Sequence, residues 1–182
     1  TIATLGQSLQ VGWNQVSSSP PTPSSNTSMW NTGTNSWSTV VGDANIVFCN
    51  TMAELLQEDI RLVCAAVGGS ALCPQSVNQL TPLNYWLTGQ SGSPYYNFLQ
   101  QLNNFGPPDL VLWNHGQQDY SDTTGSAYQT GLIQLYTGFL TACGKTAAQL
   151  PMVVFVSGAY AGSNTYATQI RQVQIDACST PG

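Results

Sequence analysis

The chain opens on Thr1-Ile2-Ala3-Thr4-Leu5, a short apolar and β-branched run halted by Gly6-Gln7-Ser8. A run of this length with glycine at its end reads as a buried strand. The pattern returns at residues 60–67, which run into Gly68-Gly69-Ser70. It returns again at residues 109–113, which follow the Pro107-Pro108 break and run into Asn114-His115-Gly116-Gln117-Gln118-Asp119. Residues 152–157 are a further such run. Between the runs lie stretches with helical character. These are residues 50–58, with Asn50 or Thr51 as cap, residues 94–103, residues 126–143 and residues 165–178. In the third, Leu132, Leu135, Tyr136, Phe139 and Leu140 fall at helical spacing; in the last, Ile170, Val173 and Ala177 do. Strands alternating with helices predict an α/β fold: a parallel sheet covered by helices on both faces, as one domain over residues 1–182.

A parallel sheet gathers the loops that follow its strands along one edge, where ligands bind in open α/β sheets. Ser8, Gly69 and His115 would then share that edge. Ser8 fits a nucleophile on a turn that the neighbouring glycine makes possible. The main-chain N–H groups of Ser8 and Gly69 fit oxyanion donors. The plain alternative for Gly6-Gln7-Ser8 is an ordinary strand-to-loop turn. Residues 17–28, rich in serine and proline, are expected to form a loop on the same side. Trp13, Trp30 and Trp37 surround that loop and read equally as core or hairpin aromatics and as sugar-stacking surfaces.

Composition narrows the partners. Of 182 residues, 42% are hydrophobic and only 6% are charged. The cations are Arg61, Lys145 and Arg171, against a net charge of -5. No phosphate-neutralising patch can be built from them, which excludes nucleic acid. No apolar run approaches the roughly 18 residues of a membrane span. A surface of neutral amides and hydroxyls is compatible with carbohydrate contact and with an extracellular or virion-associated setting. Cys49, Cys64, Cys73, Cys143 and Cys178 lack the spacing of a zinc site and leave room for one or two disulfides, with Cys64 in an apolar run as a core residue. No metal or cofactor is expected. The chain starts inside a predicted strand without Met or signal peptide, as a processed chain or an excised piece would.

Gly6-Gln7-Ser8, then Ala66-Val67-Gly68-Gly69-Ser70, then Trp113-x-His115-Gly116-x-x-Asp119, in this order across nearly the whole chain, resemble the blocks of the SGNH hydrolase superfamily. The resemblance is nearest to its sialate O-acetylesterase and acetylxylan-esterase-like branch. It implies a flavodoxin-like three-layer sandwich, a nucleophile at Ser8, and oxyanion donors at Ser8, Gly69 and His115. It also places Gln117 and Asp119 at the substrate. Two departures stand out. Gln117 occupies the position where those blocks carry Glu. The D-x-x-H block that supplies the family's base is absent, since Asp176 is followed by Ala177, Cys178 and Ser179.

His115 is the only histidine. It has three readings: an oxyanion or substrate donor, a relocated base, or a structural hydrogen-bonding residue. Asp119 and Asp122 read as orienting or binding groups and equally as loop caps. One more strand and a D-x-x-H segment are expected beyond residue 182. Two functions follow. One is a serine esterase that removes O-acetyl groups from carbohydrate or polysaccharide. The other is a catalytically inactive domain of the same fold that binds glycans or serves a secreted or virion surface assembly.

Overall fold

Strand β1 (Ile2–Gly6) is the pivot of the sheet: all five of its residues are buried, and it has a parallel neighbour on each side. The computed structural model describes residues 1–6, 14–74, 83–156 and 165–177. On one flank lies β4 (Ile60–Cys64), with Ala3 opposite Val63; on the other lies β5 (Leu110–Asn114), with Leu5 opposite Trp113. Strand β6 (Met152–Val154) pairs with β5, also parallel. A hairpin of β2 (Thr27–Asn31) and β3 (Ser36–Ser38) extends the other end, giving a six-stranded sheet in the order β3-β2-β4-β1-β5-β6. Only β3 runs antiparallel. With the hairpin set aside, β4-β1-β5-β6 follow the second-first-third-fourth order of a flavodoxin-like sheet.

Strand residues alternate between two cores. Ala3, Leu5, Val63, Val111 and Trp113 face α2 (Pro94–Phe105), α3 (Gly125–Cys143) and α4 (Thr165–Ala177), which supply Phe98, Leu102, Leu132, Phe139 and Ile170. Ile2, Ile60, Leu62 and Leu112 face α1 (Asp43–Leu56), which supplies Ile46, Cys49 and Ala53. The result is the expected three-layer sandwich. Each fully buried leucine such as Leu5 or Leu62 contributes roughly 1.5–3 kcal/mol by leaving water. Thr4, buried on the α1 side, satisfies its hydroxyl on Val63 O at 3.4 Å and Cys64 Sγ at 3.2 Å.

Several boundaries differ from the sequence reading. Strand β2 starts at Thr27, at the end of the expected 17–28 loop, and Trp30 faces Trp37 across the hairpin with ring centroids 5.3 Å apart. Trp30 is therefore a buried hairpin aromatic; Trp13 lies outside the described residues. Helix α1 starts at Asp43, two turns before the expected cap. It begins after Gly42 without a side-chain cap, so Asp43 in the first turn is the one mark of its start. The four described cysteines, Cys49, Cys64, Cys73 and Cys143, are free thiols. No helix among the described residues is long and apolar enough to cross a membrane.

The glycine that ends β1 is obligatory. Gly6 has φ +134°, and a Cβ there would lie 2.1 Å from Asn114 O. Gly6→Ala is expected to cost about 3 kcal/mol or more, from backbone strain and overlap together. Gly68→Ala is the control, because a Cβ there meets nothing within 4 Å; it is expected to stay within about 0.5 kcal/mol of the parent. Urea unfolding of both variants checks this, and equal midpoints would overturn it.

Candidate active site

Three chain segments meet at the carboxyl end of β1. The first is β1 itself, which ends at Gly6 against Asn114 of β5. Ser8 and Gln7 lie outside the described residues. The second is the exit from β4. Its extended chain keeps alongside β1 beyond the strand, through Ala65 N to Thr4 O at 3.0 Å and Val67 N to Gly6 O at 3.0 Å. The chain then turns, with Ser70 N donating to Val67 O. Gly69 sits in that turn at φ +67°, a left-handed conformation suited to glycine.

Ser70 pins this loop. Its buried hydroxyl donates to Val67 O at 2.8 Å and lies 3.3 Å from Gly6 O, and it accepts from Trp86 Nε1 at 3.1 Å. The pin fixes the distance between the Gly69 turn and the end of β1. In the sequence Ser70 is only the last residue of the Gly68-Gly69-Ser70 block, and its type alone points to no role.

The third segment is the exit from β5. His115 is fully buried, stacked on Trp113 with ring centroids 4.8 Å apart and 19° between planes. Burial pushes its pKa down to about 3, against a hydrogen bond with the Ser70 main chain that acts the other way. Its imidazole is thus neutral at physiological pH. The Asp119 carboxylate lies 3.6 Å from Nδ1, too long for a hydrogen bond. A neutral ring makes no ion pair with it.

Asp119, expected at the substrate, is enclosed. Its two oxygens accept from Leu72 N at 2.9 Å and Cys73 N at 3.1 Å, and Thr123 Oγ1 lies 3.3 Å away. Burial pushes its pKa up to about 6, opposed by these donors. The carboxylate therefore ties the segment after Ser70 to the loop after His115. Gln117 is half-buried on the turn that leads into the 3-10 turn Asp119–Ser121.

A further anchor escaped the sequence reading. Gln174 on α4 is fully buried and donates from Nε2 to His115 O at 2.6 Å; Tyr128 Oη lies 3.4 Å from the same nitrogen. Gly116, at φ +120°, makes room for it, since a Cβ there would lie 2.9 Å from Gln174 Nε2. One signal pointed to this residue: Gln174 falls four positions after Ile170, on the stripe that α4 buries. Among the described residues no three His, Cys, Asp or Glu side chains come together as metal ligands.

No protein-family model matches this chain, and no curated protein matches it. Solved structures share its fold. A protein from Arabidopsis thaliana superposes with a TM-score of 0.69 at 18% identity, over 96% of this chain and 79% of that one. A carbohydrate acetylesterase from Xanthomonas citri superposes with a TM-score of 0.58 at 16% identity, over 99% of this chain and 47% of that one. An active-site mutant of a family two carbohydrate esterase from Clostridium thermocellum, solved in complex with cellohexaose, gives 0.50 at 12% identity, over 98% and 49%. The chain spans about half the length of these two esterases. At such identities the likeness is one of fold: an α/β three-layer sandwich shared with carbohydrate esterases.

The buried pair makes opposing contributions to stability. Between pH 3.8 and about 6 the folded chain holds a proton on Asp119 that the unfolded chain releases, so this group's contribution falls as pH rises. Between about pH 3 and 6.5 the unfolded chain holds a proton on His115 that the folded chain lacks, so that contribution rises with pH. His115→Gln is expected to make the stability slope between pH 4 and 6 more negative than the parent's. Asp119→Asn is expected to make it more positive, with a loss of about 1–3 kcal/mol at pH 7 from the unsatisfied main-chain donor. Urea midpoints at pH 4, 5, 6 and 7 check both; slopes displaced from the parent's in the same direction in the two variants would refute the assignment.

Proposed function

We propose that the protein is a serine esterase that removes O-acetyl groups from carbohydrate. Ser8 Oγ attacks the acetyl carbonyl and gives its proton to a base. The oxyanion is held by the N–H groups of Ser8 and Gly69 and by the neutral His115 side chain. The sugar hydroxyl leaves with a proton, and water then releases acetate from the acyl-enzyme. Gln117 contacts the substrate in this reading, while Asp119 keeps the two flanking loops in register.

The observation that carries it is the junction at Gly6. There the β1 end, the Gly69 turn and the His115 loop are tied together by Val67 N to Gly6 O, by Ser70 Oγ, and by the Gly6–Asn114 approach. That junction suits a nucleophile two residues beyond Gly6 with donors on either side. The shared fold with carbohydrate esterases supports the substrate class. The finer assignment, to the sialate O-acetylesterase and acetylxylan-esterase-like branch and an extracellular or virion-associated setting, rests on the order of the three sequence blocks. The base in this reading is a histidine of a D-x-x-H segment beyond residue 182.

One observation favours a second reading, an inactive glycan-binding domain. The only imidazole in the sequence is buried, and burial lowers its affinity for the proton that a base would take from Ser8.

Acetate release from acetylated xylan and p-nitrophenyl acetate separates the two readings, measured on this chain and on a form extended by its natural downstream sequence. Ser8→Ala is expected to abolish turnover. His115→Gln is expected to retain measurable turnover, with a loss no greater than the ~10²–10³-fold typical of one missing oxyanion donor. Equal inactivation by both substitutions would make His115 the base. No Ser8-dependent turnover in either form, with glycan binding retained, would move the protein to the second reading.

A further inference from the structure

A cleft of about 330 Å³ lies beside the Gly69 turn, on the hairpin side of the sheet. Its floor is the chain leaving β4, Val63 to Val67, which ends two residues before Gly69. Its roof is α2, and its end wall is the hairpin, through Trp30 and Thr32. The volume is in the range of ligand sites.

The lining has an unusual chemical balance. Phe98, Phe105 and Trp30, all buried, close the cleft behind, and the polar side chains beside them are neutral: Thr32, the Cys64 thiol, Asn97, Gln100 and Gln101. No acid and no base lines it. The amides are also oriented. Gln101 Oε1 accepts from Trp30 Nε1 at 3.2 Å and from Asn104 Nδ2 at 3.4 Å, so its amide nitrogen is the end presented to a ligand. Asn97 spends its nitrogen on Gly92 O at 3.4 Å, which presents its oxygen. One turn of helix thus offers a donor and an acceptor on the same face. A hydroxyl, which both donates and accepts, satisfies the two together. An anion would lack a cation here, and a cation would lack an acid.

We propose that this cleft between α2 and the exits of β2 and β4 is a binding subsite for an uncharged sugar residue, adjoining the one that carries the ester. The inference rests on the esterase reading, because the cleft floor leads directly into the Gly69 turn. The sugar's C–H surface rests on the half-buried floor at Ala65, Ala66 and Val67, and ring hydroxyls meet Asn97, Gln100 and Gln101. A larger cavity of about 540 Å³ lies at the opposite edge of the sheet, against β6; its lining includes Leu132, Ile133, Val154 and Val173 and, unlike the cleft, an acid, Asp176.

The test is a titration of isotope-labelled Ser8→Ala protein with cellohexaose and with xylohexaose, followed by the indole signal of Trp30 and the side-chain amide signals of Asn97, Gln100 and Gln101. These signals are expected to shift together with at least one of the two oligosaccharides. Asn97→Leu and Gln100→Leu, at exposed helix positions where folding is undisturbed, are expected to raise Kd at least tenfold in combination, with an unchanged far-ultraviolet spectrum. Shifts confined to the β6 cavity, shifts at neither place, or a Kd indifferent to both substitutions would overturn the subsite. Ser8-dependent acetate release from acetylated xylan is measured separately on the parent and on the extended form. Turnover in either form without cleft binding removes the subsite and keeps the esterase; cleft binding without turnover in either form removes the esterase and keeps the subsite.

Discussion

The close approach of two main chains at Gly6 and Asn114 governs the functional edge of this molecule. Strand β1 is hydrogen-bonded on both sides, so its carboxyl end cannot shift toward β4 without leaving β5, nor the reverse. At Gly6 the separation from β5 leaves no space for a side chain. Each neighbouring loop is then referenced to that fixed point: the β4 exit through Val67 N and Ser70 Oγ, the β5 exit through Asn114 itself. Precise placement of loops has to come from elements that cannot slide, and a central strand without a free edge supplies it.

Behind this edge lies a polar layer with almost no access to water. Ser70, Trp86, His115, Asp119, Tyr128 and Gln174 are all buried, and their bonds run from the β4 loop through the β5 loop to α4. A buried carboxylate without partners would be costly, but Asp119 has two main-chain N–H donors. The same enclosure denies His115 a proton at neutral pH. A neutral imidazole has one N–H to donate and one bare nitrogen to accept.

Much of this was legible in the residues. The apolar runs that end in glycine gave β1, β4 and β5, because buried parallel strands are continuously apolar and their exits need positive φ. The hairpin was harder to read. Thr27, Ser28, Asn31, Ser36 and Ser38 are polar and follow a proline-rich loop; main-chain pairing with β4 holds the pair to the sheet, and only the facing tryptophans mark it in the sequence. Helix α1 hid its first two turns because Gly42 supplies no capping side chain. At the site, Gly69 and His115 stood out as chemistry-bearing types after strands. Burial of Asp119 did not, since a sequence shows an acid in a loop and not the donors folded onto it from 47 residues away. Gln174 was visible only as an amide in an apolar stripe.

The thiols described with the fold give the two layers separate reporters. Cys49 lies between α1 and the sheet, and Cys73 lies on the other face beneath the segment that Asp119 clamps. Burial pushes both up to about 12, so neither is a thiolate nor within reach of a bulky reagent while its layer stays closed. Alkylation at either position therefore counts openings rather than intrinsic reactivity. Two cysteines of one chain can time the breathing of the α1 layer and of the layer that Asp119 clamps independently, with no residue substituted.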